Sequence, residues 1–276
     1  MSTSLDLTGL PEQAEQEIRR LIGNIEKPFL TVEELWEKID QAWDEQGCNN
    51  IKLDWERIAL FYNHPVWLLN GLFSEQDTIS LNYRYAILDW ISANRQNITS
   101  VVDYGGGFGT VARIIAEKEK DLLIHIYEPY PHAFALERLK KYQNIRFVNI
   151  LTNSYNCLIS LDVLEHVPDP LKILGEMINS VNVGGYLIIA NHFHPVIQCH
   201  LPCTFHLRYT FNYFARLMGL QFLGSCQGSH AFVYRKVSDH PVNWLLVRQA
   251  EKISKIAFPL LSRVHPRYQK LKAKFY

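Results

Sequence analysis

The stretch Asp103-Tyr104-Gly105-Gly106-Gly107-Phe108-Gly109-Thr110 decides how the rest of this chain is read. It continues an apolar run that starts at Val101, of the kind that makes a buried strand, and it opens a helical pattern through Val111, Ala112, Ile114 and Ile115. Glycines at such a junction let the backbone turn tightly and let a bound molecule approach closer than any Cβ permits. Free N–H groups at the helix start add polar contacts. A dinucleotide fingerprint wants glycine at 105, 107 and 110, and position 110 is threonine, so the spacing here is GxGxG. Glu128 closes the next apolar run, about 20 residues on, where a carboxylate accepts hydrogen bonds from both hydroxyls of a ribose. Asp103, beside the loop, is either a helix cap or an acid that orients a cationic amine.

Outward from the loop, apolar runs alternate with helical stretches. LLIHIYE at 122–128, IRFVNI at 145–150, NCLISL at 156–161 and YLIIAN at 186–191 read as strands, which predicts a mostly parallel sheet with helices on both faces. LQFLGSC at 220–226 and HAFVYRK at 230–236 are separated by three residues, so they are expected to pair as an antiparallel hairpin that finishes the sheet. The first 98 residues read as helices. Thr31 with Glu34 makes a capping box before Val32, Leu35, Trp36, Ile39 and Trp43. Asp54 caps a run through Trp55, Ile58, Ala59 and Tyr62 that Pro65 breaks, and 79–93 again has helical spacing. Beyond Pro241 the tail is helical in pattern and basic, with Arg248, Lys252, Lys255, Arg263, Arg267, Lys270, Lys272 and Lys274 among apolar residues, as in an amphipathic helix packed on the sheet. The expected division is a helical extension and substrate lid over 1–98, a cofactor-binding domain over 99–238 and a basic helical tail over 239–276.

The glycine loop and Glu128 resemble the first two motifs of the class I S-adenosylmethionine-dependent methyltransferases, and the likeness continues downstream. Ser160-Leu161-Asp162-Val163-Leu164-Glu165-His166-Val167-Pro168-Asp169-Pro170 resembles that family's fourth-strand motif, with its LEHV segment and proline-started helix. Gly184-Gly185 before the fifth strand and the terminal hairpin, one strand reversed, are similar too. The resemblance covers roughly 99–236. It implies an α/β fold with a Rossmann-like, mostly parallel seven-stranded sheet, and S-adenosylmethionine as cofactor with S-adenosylhomocysteine as product. It also implies that Asp103, Gly105, Gly106, Gly107 and Gly109 surround the methionyl part, that Glu128 with Pro129 lies at the ribose, and that Leu161 and Asp162 face the cofactor. Where the family often has an acid for the adenine, this chain has Asn149, an amide able to take the same contact. Glu165 and His166 are expected to fix the strand-to-helix turn.

Methyl transfer is displacement at a carbon already activated by the sulfonium, so the protein supplies alignment, desolvation and, for a hydroxyl acceptor, a base. Ligands of open α/β sheets bind at the carboxyl ends of the strands. Directly after the fifth strand, residues 191–209 hold His192, His194, His200 and His206. Imidazole titrates near neutrality, which makes His192, His194 and His206 the expected bases, with Arg208 orienting substrate. Tyr62 and His64, ahead of the domain, are the expected lid contacts. No metal is expected. Cys199 and Cys203 with their neighbouring histidines are zinc-type donors, but the spacing matches no common zinc motif and Pro195 and Pro202 restrict the backbone.

Lys plus Arg and Asp plus Glu are balanced at 28 each, so no global field draws the 276-residue chain to nucleic acid or an anionic surface. With 47% hydrophobic residues a large core is available. Five cysteines without framework spacing suit a reducing, cytoplasmic setting, and no stretch approaches a membrane span. A small-molecule acceptor, by preference a hydroxyl of a sugar or secondary metabolite, fits better than nucleic acid, carbon methylation stays open, and a homodimer is an allowed assembly. The rivals are a nicotinamide-dependent oxidoreductase and a noncatalytic subunit. Against the first stand Thr110 and the placement of the one Tyr-x-x-x-Lys of the right type, Tyr268 to Lys272, in the tail. Against the second stands the intact set of loop, Glu128 and Asp162.

Overall fold

The computed structural model describes residues 2–23, 28–152 and 154–275, without the side chains of 265–275. Asn153 and the side chains of Arg267, Tyr268, Lys270, Lys272 and Lys274 therefore lie outside the described residues.

In chain order the elements are β1 (Ser2–Ser4), α1 (Glu12–Ile22), β2 (Phe29–Thr31), α2 (Val32–Glu45), α3 (Trp55–Tyr62), α4 (Val66–Gln76) and α5 (Thr78–Ala93). The sheet domain follows with β3 (Ser100–Tyr104), α6 (Thr110–Lys118), β4 (Leu123–Tyr127), α7 (Ala133–Leu139), β5 (Ile145–Val148), β6 (Tyr155–Leu161), α8 (Pro170–Ser180) and β7 (Val181–Ala190). The chain ends with α9 (Phe211–Leu217), β8 (Leu220–Ser225), β9 (Phe232–Lys236) and α10 (Trp244–Phe275).

Seven strands form one sheet in the order β5-β4-β3-β6-β7-β9-β8. The first five are parallel, and β9 runs antiparallel between β7 and β8. This is the Rossmann-like sheet with a terminal hairpin that the sequence predicts. Its strand order reverses direction between β3 and β6, which puts a crevice at their carboxyl ends. Alternate side chains supply two cores. Val101, Ile124, Ile126, Cys157, Ile159, Ile188 and Val233 face α5 and α6, whereas Val102, Leu158, Leu187, Ile189 and Tyr234 face α8, α9 and Val247 of α10.

Local chemistry sets the helix starts. The Thr31–Glu34 capping box is formed on both sides, Asp54 caps α3, and Asp169 caps α8 with Pro170 in its first turn. Among the N-terminal helices a short antiparallel pair, β1 with β2, departs from the all-helical reading. Three-residue strands carry too little alternation to stand out in a sequence. The tail helix α10 lies mainly on the 3₁₀ turn Pro202–Arg208, with Trp244 at its start against Gly175 of α8.

One carboxylate fastens the N-terminal helices to the sheet domain. Glu75 of α4 is almost entirely buried and takes two bonds from the Arg138 guanidinium of α7. It also accepts from Arg113 of α6 at 3.4 Å and from the Thr110 hydroxyl at 3.1 Å. Arg138 in turn lies over the Phe108 ring at 4.5 Å, and a Cβ on Gly71 of α4 would come within 2.6 Å of that ring. The glycine loop is thus clamped beneath α4. Glu75→Ala leaves two guanidinium groups without their buried anion, and urea unfolding is expected to register a loss of about 3 kcal/mol.

Candidate active site

Four strand ends build the site. The glycine loop leaves β3, Glu128 follows β4, Asp162 follows β6 and His192 follows β7. Gly105, Gly107 and Gly109 all have positive φ (70°, 49° and 74°), which only glycine adopts without strain. A Cβ on Gly106 would fall 2.7 Å from Asp103 Oδ2, while the space beside Gly107 is open, its first neighbour being Glu128 Oε2 at 4.0 Å. The Gly107 N–H donates to Glu128 Oε2 at 2.8 Å and the Tyr130 N–H to Oε1 at 3.0 Å. Burial raises the Glu128 carboxyl, and these two N–H groups oppose that rise.

Asp103 is buried, and its Oδ2 reaches neither solvent nor a partner. Burial pushes its carboxyl up to about 7. The Arg84 guanidinium, itself deep in the protein, pulls the other way, Glu128 adds to the rise and the Ala112 N–H opposes it. An orphan carboxylate oxygen beside a glycine cradle leaves an acceptor open to a donor. Above the loop, Tyr62 stacks on Tyr130 at 5.3 Å and on Trp67 at 5.2 Å, with Phe61 edge-on beneath. Enclosure raises the Tyr62 phenol well above its usual range, with Cys199, Glu128, Tyr130 and Glu165 all near enough to add to the rise.

Asp162 is the only non-glycine residue at positive φ (54°) among the described residues, a conformation Asp tolerates better than most. Its carboxylate meets His230 Nε2 at 3.1 Å, and the His230 ring lies 4.8 Å from that of Tyr83. Burial raises the Asp162 carboxyl, but the His230 hydrogen bond and the neighbouring imidazoles outweigh it and leave it below the usual carboxylate range. Glu165 is fully buried. Its Oε1 accepts from the His192 N–H at 2.7 Å and its backbone carbonyl from the Leu201 N–H at 2.8 Å, while Oε2 has no partner. Burial, and then the charge of Asp162, hold this carboxyl well above its ordinary value. His166 is pushed down to about 3, first by burial and then by His200.

The predicted residues divide. His192 and His194 are exposed with rings 5.1 Å apart, and His200 lies 6.0 Å from His192, so three of the four histidines gather at the end of β7. His194 is lowered to about 4 by burial, then by Arg208 and the adjacent imidazoles. His206 stands apart: it is buried against α10, with Nδ1 3.0 Å from Ser254 Oγ and Nε2 3.8 Å from Glu251. That is a correction to its expected catalytic placement, and its cause is a helix lying 48 residues further along the chain. His64 is corrected too. Its Nδ1 accepts the Val66 N–H at the start of α4 and its Nε2 faces Glu45 of α2. Arg208 Nε donates to the Phe193 carbonyl and its guanidinium lies 5.8 Å from the Tyr209 and Phe258 ring centroids. Leu161 ends β6, packed on the first core, whereas Pro129 and Asn149 are exposed. Cys199 is buried in the N-terminal core and Cys203 donates to the Pro168 carbonyl, so neither thiol joins the histidines.

Four residues of this neighbourhood were not singled out from the sequence: Tyr83, Arg84, Tyr130 and His230. His230 carried a usable signal. A strand antiparallel to the rest begins where the others end, so its first residues face the ligand crevice.

Over residues 80–226, more than half its length, the chain matches the family described as methyltransferase domain, and it belongs to that family. No curated protein matches its sequence. The mitomycin 7-O-methyltransferase MmcR is similar in structure at 13% identity, the alignment covering 83% of this chain and 74% of that one with a TM-score of 0.48. An O-methyltransferase family protein from Burkholderia thailandensis is 14% identical, with 67% of this chain and 61% of that one covered and a TM-score of 0.44, so the chain spans about three fifths of that protein. The 1,6-didemethyltoxoflavin-N1-methyltransferase of the same organism, solved with 1,6-didemethyltoxoflavin and S-adenosylhomocysteine bound, is 12% identical, with 57% and 79% covered and a TM-score of 0.42.

Asp103 makes a pH prediction. Its acid is more easily deprotonated in the unfolded chain than in the fold, so the charged form costs stability. The cost is absent below about pH 4, grows as pH rises and is complete above about pH 7. Asp103→Asn is expected to be near neutral in urea unfolding at pH 4 and to stabilise the ligand-free protein by about 2–4 kcal/mol at pH 8.

Proposed function

We propose that this enzyme moves a methyl group from S-adenosylmethionine to a hydroxyl of a small molecule, by preference a sugar or secondary metabolite. The observation that carries the reading is the cradle itself: an open glycine backbone with an orphan buried carboxylate on one side and Glu128 on the other. Asp103 would take the cationic amine of the methionyl part, which supplies the positive charge its buried oxygen lacks. Glu128 would exchange its internal N–H bonds for the ribose hydroxyls. When bound, the cofactor supplies an electrophilic methyl carbon on a sulfonium.

The chain's own residues do the rest. Tyr62, Trp67 and Tyr130 form an aromatic roof that keeps water from the reacting carbon, and the helices of residues 1–98 serve as the lid. Asp162, held by His230, sets the edge of the crevice at the switch between β3 and β6. His192, exposed and placed by its N–H bond to Glu165, is the base for the acceptor hydroxyl, with His194 beside it. Among the described residues no helix is long and apolar enough to cross a membrane.

Calorimetry tests the cofactor assignment. S-adenosylhomocysteine is expected to bind at micromolar concentration and NAD not at all, with Glu128→Ala and Gly107→Val both abolishing binding. Folded protein that binds only NAD, or neither ligand, would overturn the assignment. In an assay with labelled methyl donor and hydroxylated acceptors, His192→Ala is expected to lower kcat by about 10²–10⁴ while S-adenosylhomocysteine affinity stays the same.

A further inference from the structure

We propose that Glu165, His166 and His200 hold a divalent first-row transition-metal cation at the end of β6. One carboxylate oxygen and one ring nitrogen from each imidazole lie within 4.8 Å of one another. Two backbone carbonyls fix how those rings are protonated. His166 Nδ1 is 3.1 Å from the Cys199 carbonyl oxygen and His200 Nδ1 is 2.6 Å from that of His194. A carbonyl only accepts, so in both rings Nδ1 carries the proton and Nε2 keeps its lone pair. Metal-binding histidines are held this way, with the second nitrogen bonded to a carbonyl or carboxylate that sets the tautomer. The rings stand at 77° to each other with centroids 4.8 Å apart, a crossed arrangement in place of a stack.

The carboxylate supplies the independent observation. Glu165 is at zero exposure, its Oε1 is satisfied by the His192 N–H, and its Oε2 has neither solvent nor a donor. An unpartnered buried oxygen of Glu165, next to two imidazoles that each keep one lone pair, makes a donor set that a cation satisfies at once. Two nitrogens and one oxygen with no thiolate suit zinc, cobalt, manganese or iron in the divalent state. Three protein ligands leave a position for oxygen, as in catalytic metal sites.

This inference rests on the hydroxyl-methylation reading and deepens it. The cation would polarise the acceptor oxygen. The O–H proton passes to His192, the oxygen pair forms the new C–O bond, and the C–S bond breaks with its pair left on the neutral sulfide.

The test uses tag-free, chelator-treated full-length protein titrated with Co(II), read by its visible absorption, and with Zn(II) in competition. S-adenosylhomocysteine calorimetry and thermal melting run on the same samples. One equivalent is expected to bind, without a sulfur-to-metal charge-transfer band. His166→Gln and His200→Gln are each expected to weaken it more than about 100-fold while S-adenosylhomocysteine still binds. Cys203→Ser is expected to change nothing. Folded protein that takes up S-adenosylhomocysteine but no metal, or metal uptake indifferent to both histidine variants, would overturn the proposal. Metal uptake by protein that fails to bind S-adenosylhomocysteine would sustain the cation site and remove the methyl-transfer reading.

Discussion

A carboxyl group that water does not reach, that of Glu165, is the constraint on which the carboxyl end of the sheet depends. Burying it is costly unless its hydrogen bonds are made inside the protein. The chain makes one of them by bringing the His192 N–H onto Oε1, leaves Oε2 without a partner, and adds a bond from the Leu201 N–H to the Glu165 backbone carbonyl. Those two bonds draw the loop after β7 back across the end of β6. His192, His194 and His200 are gathered there as a consequence, although they are spread over nine residues of irregular chain.

A second buried carboxylate works at longer range. Glu75 ties α4 to α6 and α7, and through Arg138 and Phe108 it presses that helix onto the glycine loop. The aromatic roof over Glu128 follows from this attachment, since Tyr62 and Trp67 lie just ahead of and within the same helix. The site therefore has a rigid floor made from strand ends and a ceiling made from an N-terminal segment, joined by ion pairs shielded from solvent. Asp103 shows the opposite arrangement: its Oδ2 is left without a partner at a cost to the ligand-free fold, which leaves that oxygen open to the cationic end of the proposed cofactor.

Much of the floor was legible in the sequence, because strand runs, the GxGxG spacing and Glu128 follow from period and order along the chain. The capping box at Thr31 and the hairpin were equally local, set by a few adjacent residues. What sequence could not supply was the partner of each polar side chain. His206 and His64 have the same chemistry as His192, yet one is claimed by Ser254 and the other by the start of α4. Glu165 and His166 were legible as the makers of a turn, but their meeting with His200 joins two loops on different strands and has no signature in spacing. His230 and Tyr83 come together from a hairpin and from α5, far apart in the chain.

On the proposed reading, the cleft at the switch between β3 and β6 holds S-adenosylmethionine. A crystal structure of the protein with S-adenosylhomocysteine tests it most directly. The amine end of the ligand is expected at Asp103, its ribose hydroxyls on Glu128 and its sulfur turned toward Asp162 and His192. A ligand seated elsewhere, or one whose ribose leaves the bond between Glu128 and the Gly107 N–H untouched, would contradict it.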